Sequence, residues 1–213
     1  MYPARYWIPH IGAMSRLLLL LRPVQLLPHV PFLVMHVARL VAGGMVAWLL
    51  GSLLGRIPSA VWRMNDSSLR YLVRLMAWCT MLTDVPPPFS GRASHLHTIR
   101  VHHERPDAVH RGRVLFRPFL LQPYVLCALP FTFGAAAWLV LAFPVLLITG
   151  RRQAWFASAI EEWLVYTARV AAWAVVLVDE YPPYNGVQPA EVDAWFHGQR
   201  VGTSSGSDTK RRQ

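Results

Sequence analysis

Two long apolar runs dominate the chain, and each is followed by a second, more polar helical pattern. The apolar runs, residues 31–54 and 124–149, exceed the roughly 20 residues that an α-helix needs to cross hydrocarbon. The second patterns, residues 59–83 and 153–178, are long enough as well, but their first halves are amphipathic. The pattern therefore predicts two membrane-spanning helices and leaves open whether the other two span the bilayer or lie at its interface.

The same order of elements occurs twice, because the chain matches itself without gaps at an offset of 95 residues. The signature of this repeat pairs residues of the first half with residues of the second: Arg22, Pro23, Asp84, Pro87, Pro88 and Phe89 with Arg117, Pro118, Asp179, Pro182, Pro183 and Tyr184. The sequence thus predicts membrane units at 1–91 and 98–186, joined by a polar linker at 92–97. Residues 187–213 are expected to form a short interfacial segment and a disordered basic tail.

Two helices in each unit predict an all-α membrane protein with about four spans. An even number of spans makes the units parallel, related by a pseudo-twofold axis along the membrane normal. Arginine and lysine are concentrated in residues 92–117 and in the tail rather than in the opposite turns near residues 56 and 151. The positive-inside rule then predicts a multi-pass protein of the bacterial cytoplasmic membrane with both termini in the cytoplasm.

Composition supports a membrane protein over a soluble one. Of 213 residues, 54% are apolar and only 15% are charged, a balance that does not suit a soluble surface. The net charge of +10 could attract nucleic acid, but no polar stretch is long enough for a separate binding domain. We therefore expect the bilayer, especially its anionic lipids, as the partner, and no nucleic acid.

Cys79 and Cys127 lie in apolar runs and are expected to be buried thiols.

Several short motifs resemble a known family. They are Tyr2-Pro3-Ala4-Arg5, Ser15-Arg16-Leu17-Leu18, Leu27-Pro28-His29, Gly55-Arg56 and the segment from Thr83 to Phe89. In this order they resemble the bacterial integral-membrane family known as domain of unknown function 4389, and the second unit resembles another copy, so that about nine tenths of the chain is covered. The second copy departs in detail, since Tyr124 answers His29. The resemblance implies an integral-membrane protein of unassigned activity.

Two arginines are predicted at an unfavourable depth. Arg74 and Arg169 precede the Asp-x-x-Pro-Pro ends of their units by about ten residues, roughly 15 Å along a helix. Such residues are candidates for binding an anionic lipid or another ligand, because a cation in hydrocarbon is costly. The alternatives are a structural ion pair or snorkelling to the interface. The neighbours that helical spacing places beside them are Arg63, Asp66, Arg70, Tyr71, Glu162 and Tyr166.

A stripe of small residues, Gly43, Ala47, Gly51 and Gly55, recurs at every fourth position of the first apolar run. Such a stripe allows close helix packing, either within the chain or against a partner subunit.

Other candidate chemistry is weak. The five histidines between residues 95 and 110, His95, His97, His102, His103 and His110, have no spacing typical of a metal site, so no metal and no other cofactor is predicted. Asp84 and Asp179 are expected to cap their own turns rather than to move protons. The sequence holds no motif of a hydrolase, metalloprotease or nucleotide-binding loop, so no catalytic residue is assigned and an enzyme is not predicted.

Two functions remain open. The first is a non-enzymatic accessory or assembly subunit, which would pack its small-residue stripe and arginine face against other subunits of a larger membrane complex. The second is a small oligomeric transport or anionic-lipid-handling protein, in which Arg74 and Arg169 would face each other across a site near the bilayer midplane.

Overall fold

A computed structural model describes residues 2–9, 12–92, 97–184 and 191–196, which are mostly helical. In chain order the elements of this part are β1 (Ala4–Trp7), α1 (Arg16–Leu26), α2 (His29–Leu54), α3 (Ser59–Cys79), β2 (Arg100–His103), α4 (Arg111–Leu115), α5 (Arg117–Thr149), α6 (Ala154–Ala174) and α7 (191–196). The basic tail and parts of the linker, including His95, lie outside the described residues.

The all-α prediction was wrong in one respect, because β1 and β2 form a two-stranded antiparallel sheet. Ala4 lies opposite His103, and Tyr6 lies opposite Val101. Each strand has only four residues, too few for an alternating pattern to stand out, and its partner is distant in sequence. The sheet is nevertheless well buried, since Ala4, Tyr6 and His103 are each at most 4% exposed.

The helices α2 and α5 are long and apolar enough to cross a membrane. Only 17% of the most apolar window of each helix is buried inside the protein. Along α5 the side chains of Phe119, Leu126, Phe133 and Val140 are all more than 70% exposed. Because the core helix of a soluble protein would bury such side chains, these two helices are suited to a lipid environment.

The helices α3 and α6 form the centre of the protein and pack against each other and against α2 and α5. Side chains of α3 bind carbonyl groups that follow α6: Trp62 Nε1 donates to Leu177 O and Asn65 Nδ2 donates to Val175 O, both at 3.1 Å. Trp78 and Trp173 are almost fully buried in this layer. Burial of such large aromatic side chains is a main contribution to its stability.

An arginine from α1 stabilises the end of α3. Beyond Cys79 the backbone turns through Met81, whose φ of 65° ends the helix and leaves carbonyl groups without helical partners. The Arg22 guanidinium donates to Trp78 O at 2.7 Å and to Thr83 O at 3.1 Å, and it pairs with Asp84 at 3.0 Å. One buried cation thus satisfies two carbonyl groups and a carboxylate.

The end of α6 is held in the same way, 95 positions later. The φ of Val176 is 61°, and Arg117 donates to Trp173 O and pairs with Asp179 at 2.8 Å. The sequence-based prediction that Asp84 and Asp179 cap their own turns was therefore wrong. They accept hydrogen bonds from residues far along the chain, since Ser15 N also donates to Asp84 at 3.0 Å.

The small-residue stripe of α2 is covered by other parts of the same chain. Gly43, Ala47 and Gly51 are buried, with Gly43 against the side chains of Met64 and Asn65 and Gly51 against Val114 of α4. Gly55 has a different role, because its φ of 67° ends α2 in the left-handed region that favours glycine.

We expect Gly43→Ala to destabilise the protein, because the new methyl group would overlap Asn65 Oδ1, which is held in place by the bond to Val175 O. The cost should be about 1–3 kcal/mol, seen as a lower melting temperature in detergent. The matched control is Gly134→Ala in α5, where an added Cβ meets nothing within 4 Å. This control should leave the melting temperature unchanged or raise it, and equal losses in both variants would contradict the packing.

Arg22→Gln should destabilise the end of α3 by about 2 kcal/mol. The estimate is below the usual cost of breaking a buried ion pair, because the Asp84 side chain is 25% exposed and partly screened by solvent. Thermal unfolding in detergent measures the loss. Arg56→Gln, which removes an exposed arginine at the α2–α3 turn, is the control and should change little.

Candidate functional site

A cavity of about 670 Å³ lies between α2, α3 and the segment that follows α3. Four arginines from three parts of the chain line it: Arg39, Arg63, Arg70 and Arg92. The side chains of Met35, Trp62 and Phe89 supply apolar surface beside them. We call this cavity the arginine cleft.

The cleft forms because the segment after α3 folds back along that helix. Gly91 makes the close approach possible: its φ is 43°, and a Cβ there would overlap Ser67 O. His36 of α2 fixes the same segment, with its ring nitrogens 3.1 Å from Phe89 O and 3.3 Å from Ser68 Oγ. Arg92, directly after Gly91, thereby lines the cleft together with Arg39 and Arg63.

One carboxylate, Asp66, lines the cleft, and it is already engaged. Its Oδ2 accepts a hydrogen bond from Arg70 at 2.6 Å and its Oδ1 lies 2.7 Å from His103 Nδ1. Among the ion pairs of the described residues, none involves Arg39, Arg63 or Arg92. The cleft therefore carries a net positive charge that the described part of the chain does not neutralise.

The Asp66 contacts continue into the sheet. Tyr6 Oη lies 3.1 Å from His103 Nε2, and burial raises the pKa of Tyr6 well above its ordinary value. The His103 ring thus links Tyr6 to Asp66 through one contact at each nitrogen. Tyr6 and His103 are 1% and 4% exposed, so this network supports the cleft from behind and is closed to a substrate.

Arg74 and Arg169 do not face each other across an open site. Arg74 is 1% exposed and donates to Arg92 O at 2.9 Å and Ile99 O at 3.4 Å, whereas Arg169 is 2% exposed and lies 5.5 Å from the Tyr2 ring. Glu162, predicted on the same face as Arg169, lies about two turns before it on α6 and is exposed. The two arginines are thus placed for structural contacts, since side chains and backbone cover them.

The tyrosines predicted beside these arginines connect neighbouring helices. Tyr71 Oη lies 3.1 Å from His29 Nδ1, and Tyr166 Oη donates to Tyr124 O at 3.1 Å. Both tyrosines are fully buried. They therefore join α3 to α2 and α6 to α5 and do not line the arginine cleft.

The described histidines between residues 97 and 110 make separate structural contacts and do not form a cluster. His97 is held in a local turn with Ile99, His103 joins the Asp66 network, and His110 caps α4. His102 lies 4.8 Å from the Trp195 ring of α7. Burial lowers the pKa of His97 and of His102, with nearby arginines adding to the effect, so both are neutral at pH 7.

Sequence reasoning missed Arg39 and Arg92 as site residues, and it named Arg63 only as a helical neighbour of Arg74. Arg39 and His36 are the strongly polar interruptions of the first apolar run, and this was the available signal. Arg92 carried no such signal, because its position depends on the fold-back at Gly91. Of the predicted ligand-binding residues, only Arg70 lines this cleft.

Comparison with known proteins adds no relative: no family model matches the chain, and no curated protein or solved structure matches it significantly. Membership of the family that the motifs resemble stays a prediction.

Asp66→Asn should destabilise the protein, because it leaves the buried Arg70 guanidinium without its counter-ion and weakens the bond to His103. We expect a loss of about 2–4 kcal/mol and a lower melting temperature in detergent. The matched control is Asp107→Asn, which removes an exposed carboxylate after β2 and should have little effect. Equal melting temperatures for the two variants would contradict the network.

Proposed function

We propose that the chain is an integral membrane protein that binds a phosphate-bearing, anionic amphiphile in the arginine cleft. The observation that carries this proposal is the excess of cations in the cleft: three arginines without a described carboxylate partner surround one carboxylate that Arg70 and His103 already occupy. Guanidinium groups match phosphate oxygens in charge and geometry. A phosphate group in the cleft would neutralise these cations.

The walls of the cleft suit a molecule with an apolar tail. Met35 and Phe89 are about 40% exposed at its edge, and Met35 belongs to the apolar outer surface of α2. A lipid could therefore place its headgroup among the arginines while its acyl chain follows α2 in the bilayer. The same arrangement accounts for Arg39 within an apolar helix, since ionisable residues in membrane helices face a polar cavity.

We further propose that α3 and α6 complete a four-span protein built from two parallel units. Contacts that recur 95 positions apart support the repeat: Arg22 with Asp84 and Arg117 with Asp179, and the left-handed residues Met81 and Val176. The β1–β2 register fits the same symmetry, because Arg5 lies opposite His102 and Trp7 opposite Arg100. An inner-membrane location with cytoplasmic termini follows from the positive-inside rule alone.

The accessory-subunit hypothesis depends on a surface for a partner. Gly43, Ala47 and Gly51 do not supply it, because α3 and α4 cover them. The hypothesis stays a prediction that would need another surface of the protein. Anionic-lipid handling is better supported, because the arginine cleft opens at the surface beside α2.

The test is lipid retention from nanodiscs that contain equal parts of phosphatidylglycerol and phosphatidylcholine, measured by native mass spectrometry of the full chain. The wild type should retain phosphatidylglycerol preferentially. The double variant Arg39→Gln/Arg63→Gln should lose about tenfold or more of this preference, because each charge-assisted hydrogen bond contributes about 1.5–3 kcal/mol. The double variant Arg56→Gln/Arg151→Gln, with the same net charge but exposed turn arginines, should behave as wild type.

Two outcomes would overturn the proposal. Equal loss in both double variants would show that diffuse surface charge, not the cleft, attracts the lipid. A stoichiometric protein partner that co-purifies in mild detergent, with no lipid preference, would favour the accessory subunit instead.

A further inference from the structure

A second groove, with a cavity of about 390 Å³, lies between α5 and α6. Its lining is aromatic, with Phe131, Trp138 and Trp163, and Glu162 is its one ionisable lining residue among the described parts of the chain. We call it the aromatic groove. It shares no lining residue with the arginine cleft.

The walls of this groove are fixed before any ligand arrives. Trp163 Nε1 donates to Thr132 Oγ1 at 3.2 Å, which orients the indole across the gap between the helices. Trp138 packs on Trp155 with ring centroids 5.0 Å apart. Space is left at Gly134, where an added Cβ would meet nothing within 4 Å.

Glu162 gives the groove a negative charge. The carboxylate is exposed, and no ion pair of the described residues involves it. A carboxylate beside apolar, lipid-facing helices is costly unless a cation or water compensates it. Aromatic faces attract cations as well, so the carboxylate and the rings favour the same ligand charge.

Comparison with the arginine cleft also indicates that the aromatic groove favours a cationic ligand. Lining positions of the two cavities lie 95 residues apart, with Gly134 in place of Arg39, Phe131 in place of His36, and Glu162 in place of Ser67. At the corresponding place, a groove that could hold a phosphate group has thus become one without arginine, lysine or histidine in its lining.

We propose that the aromatic groove binds an amphiphilic cation, a quaternary or protonated amine with an alkyl tail. Its charge would lie between Glu162 and the indole faces of Trp138 and Trp163, and its tail along the exposed surface of α5. The ligand carries no phosphate beside the amine, because the described residues of the lining include no cation to pair with a phosphate group. This requirement favours a free amine over the headgroup of a zwitterionic phospholipid.

The test is a titration of the full chain, purified in dodecyl maltoside, with decyltrimethylammonium. Calorimetry and tryptophan fluorescence measure the binding. The wild type should bind this cation saturably. Glu162→Gln should weaken binding about tenfold or more, and Trp138→Leu should weaken it about threefold or more, because an ion pair and a cation–π contact are lost. The control Glu191→Gln removes an exposed carboxylate on α7 and should bind as wild type.

Decylphosphocholine has the same tail and ammonium group but also carries a phosphate, so it distinguishes a free amine from a zwitterionic headgroup. It should bind more weakly than decyltrimethylammonium. Equal binding of the two amphiphiles would overturn the phosphate-free assignment. Unchanged affinity in Glu162→Gln would overturn the site. Trp138→Leu keeps the test decisive if the glutamine variant does not fold, because unchanged affinity there also contradicts the groove.

Discussion

Buried arginine side chains that satisfy backbone carbonyl groups are the interaction on which this structure depends. A helix that ends inside a protein leaves carbonyl groups that need donors, and an arginine that is buried needs acceptors. Arg22 and Arg117 meet both needs at the ends of α3 and α6, and Asp84 and Asp179 neutralise their charge. Without these contacts, the chain could not turn back at the end of either central helix without a large desolvation cost.

The chain reversal after α3 creates the arginine cleft. Because the chain is directed back along α3, residues 89–92 lie beside the middle of that helix rather than beyond its end. The Asp66 network then sets the charge of the cleft, since Arg70 and His103 engage its carboxylate. The excess positive charge is therefore a consequence of contacts made by the sheet behind α3, not only of the number of arginines.

The sequence predicted the features that depend on local order and missed those that depend on distant partners. The bounds of α2, the end of α5 and the turn at Gly55 follow from apolar length and from a glycine at the end of the run, whereas α5 begins at Arg117, before the predicted apolar run. The sheet, the Arg22–Asp84 pair and the position of Arg92 require residues far apart along the chain. Arg74 and Arg169 were recognised as costly, but one sequence could not show whether ligand atoms or backbone carbonyl groups compensate them.

The two cavities can differ because the residues that line them lie mostly in the first halves of α3 and α6, whereas the residues that hold the framework lie in the second halves. On α3, Arg63 and Ser67 line the cleft in the first half, whereas Tyr71 and Arg74 are buried in the second half. On α6, the residues 95 positions later divide in the same way, with Tyr166 and Arg169 buried and Glu162 at the groove. Substitutions of the buried residues would break contacts that hold the helices together, whereas substitutions of exposed lining residues such as Arg63 and Glu162 change mainly the charge offered to a ligand. Cavities suited to ligands of opposite charge can therefore occur in similarly built halves of one chain without loss of the fold.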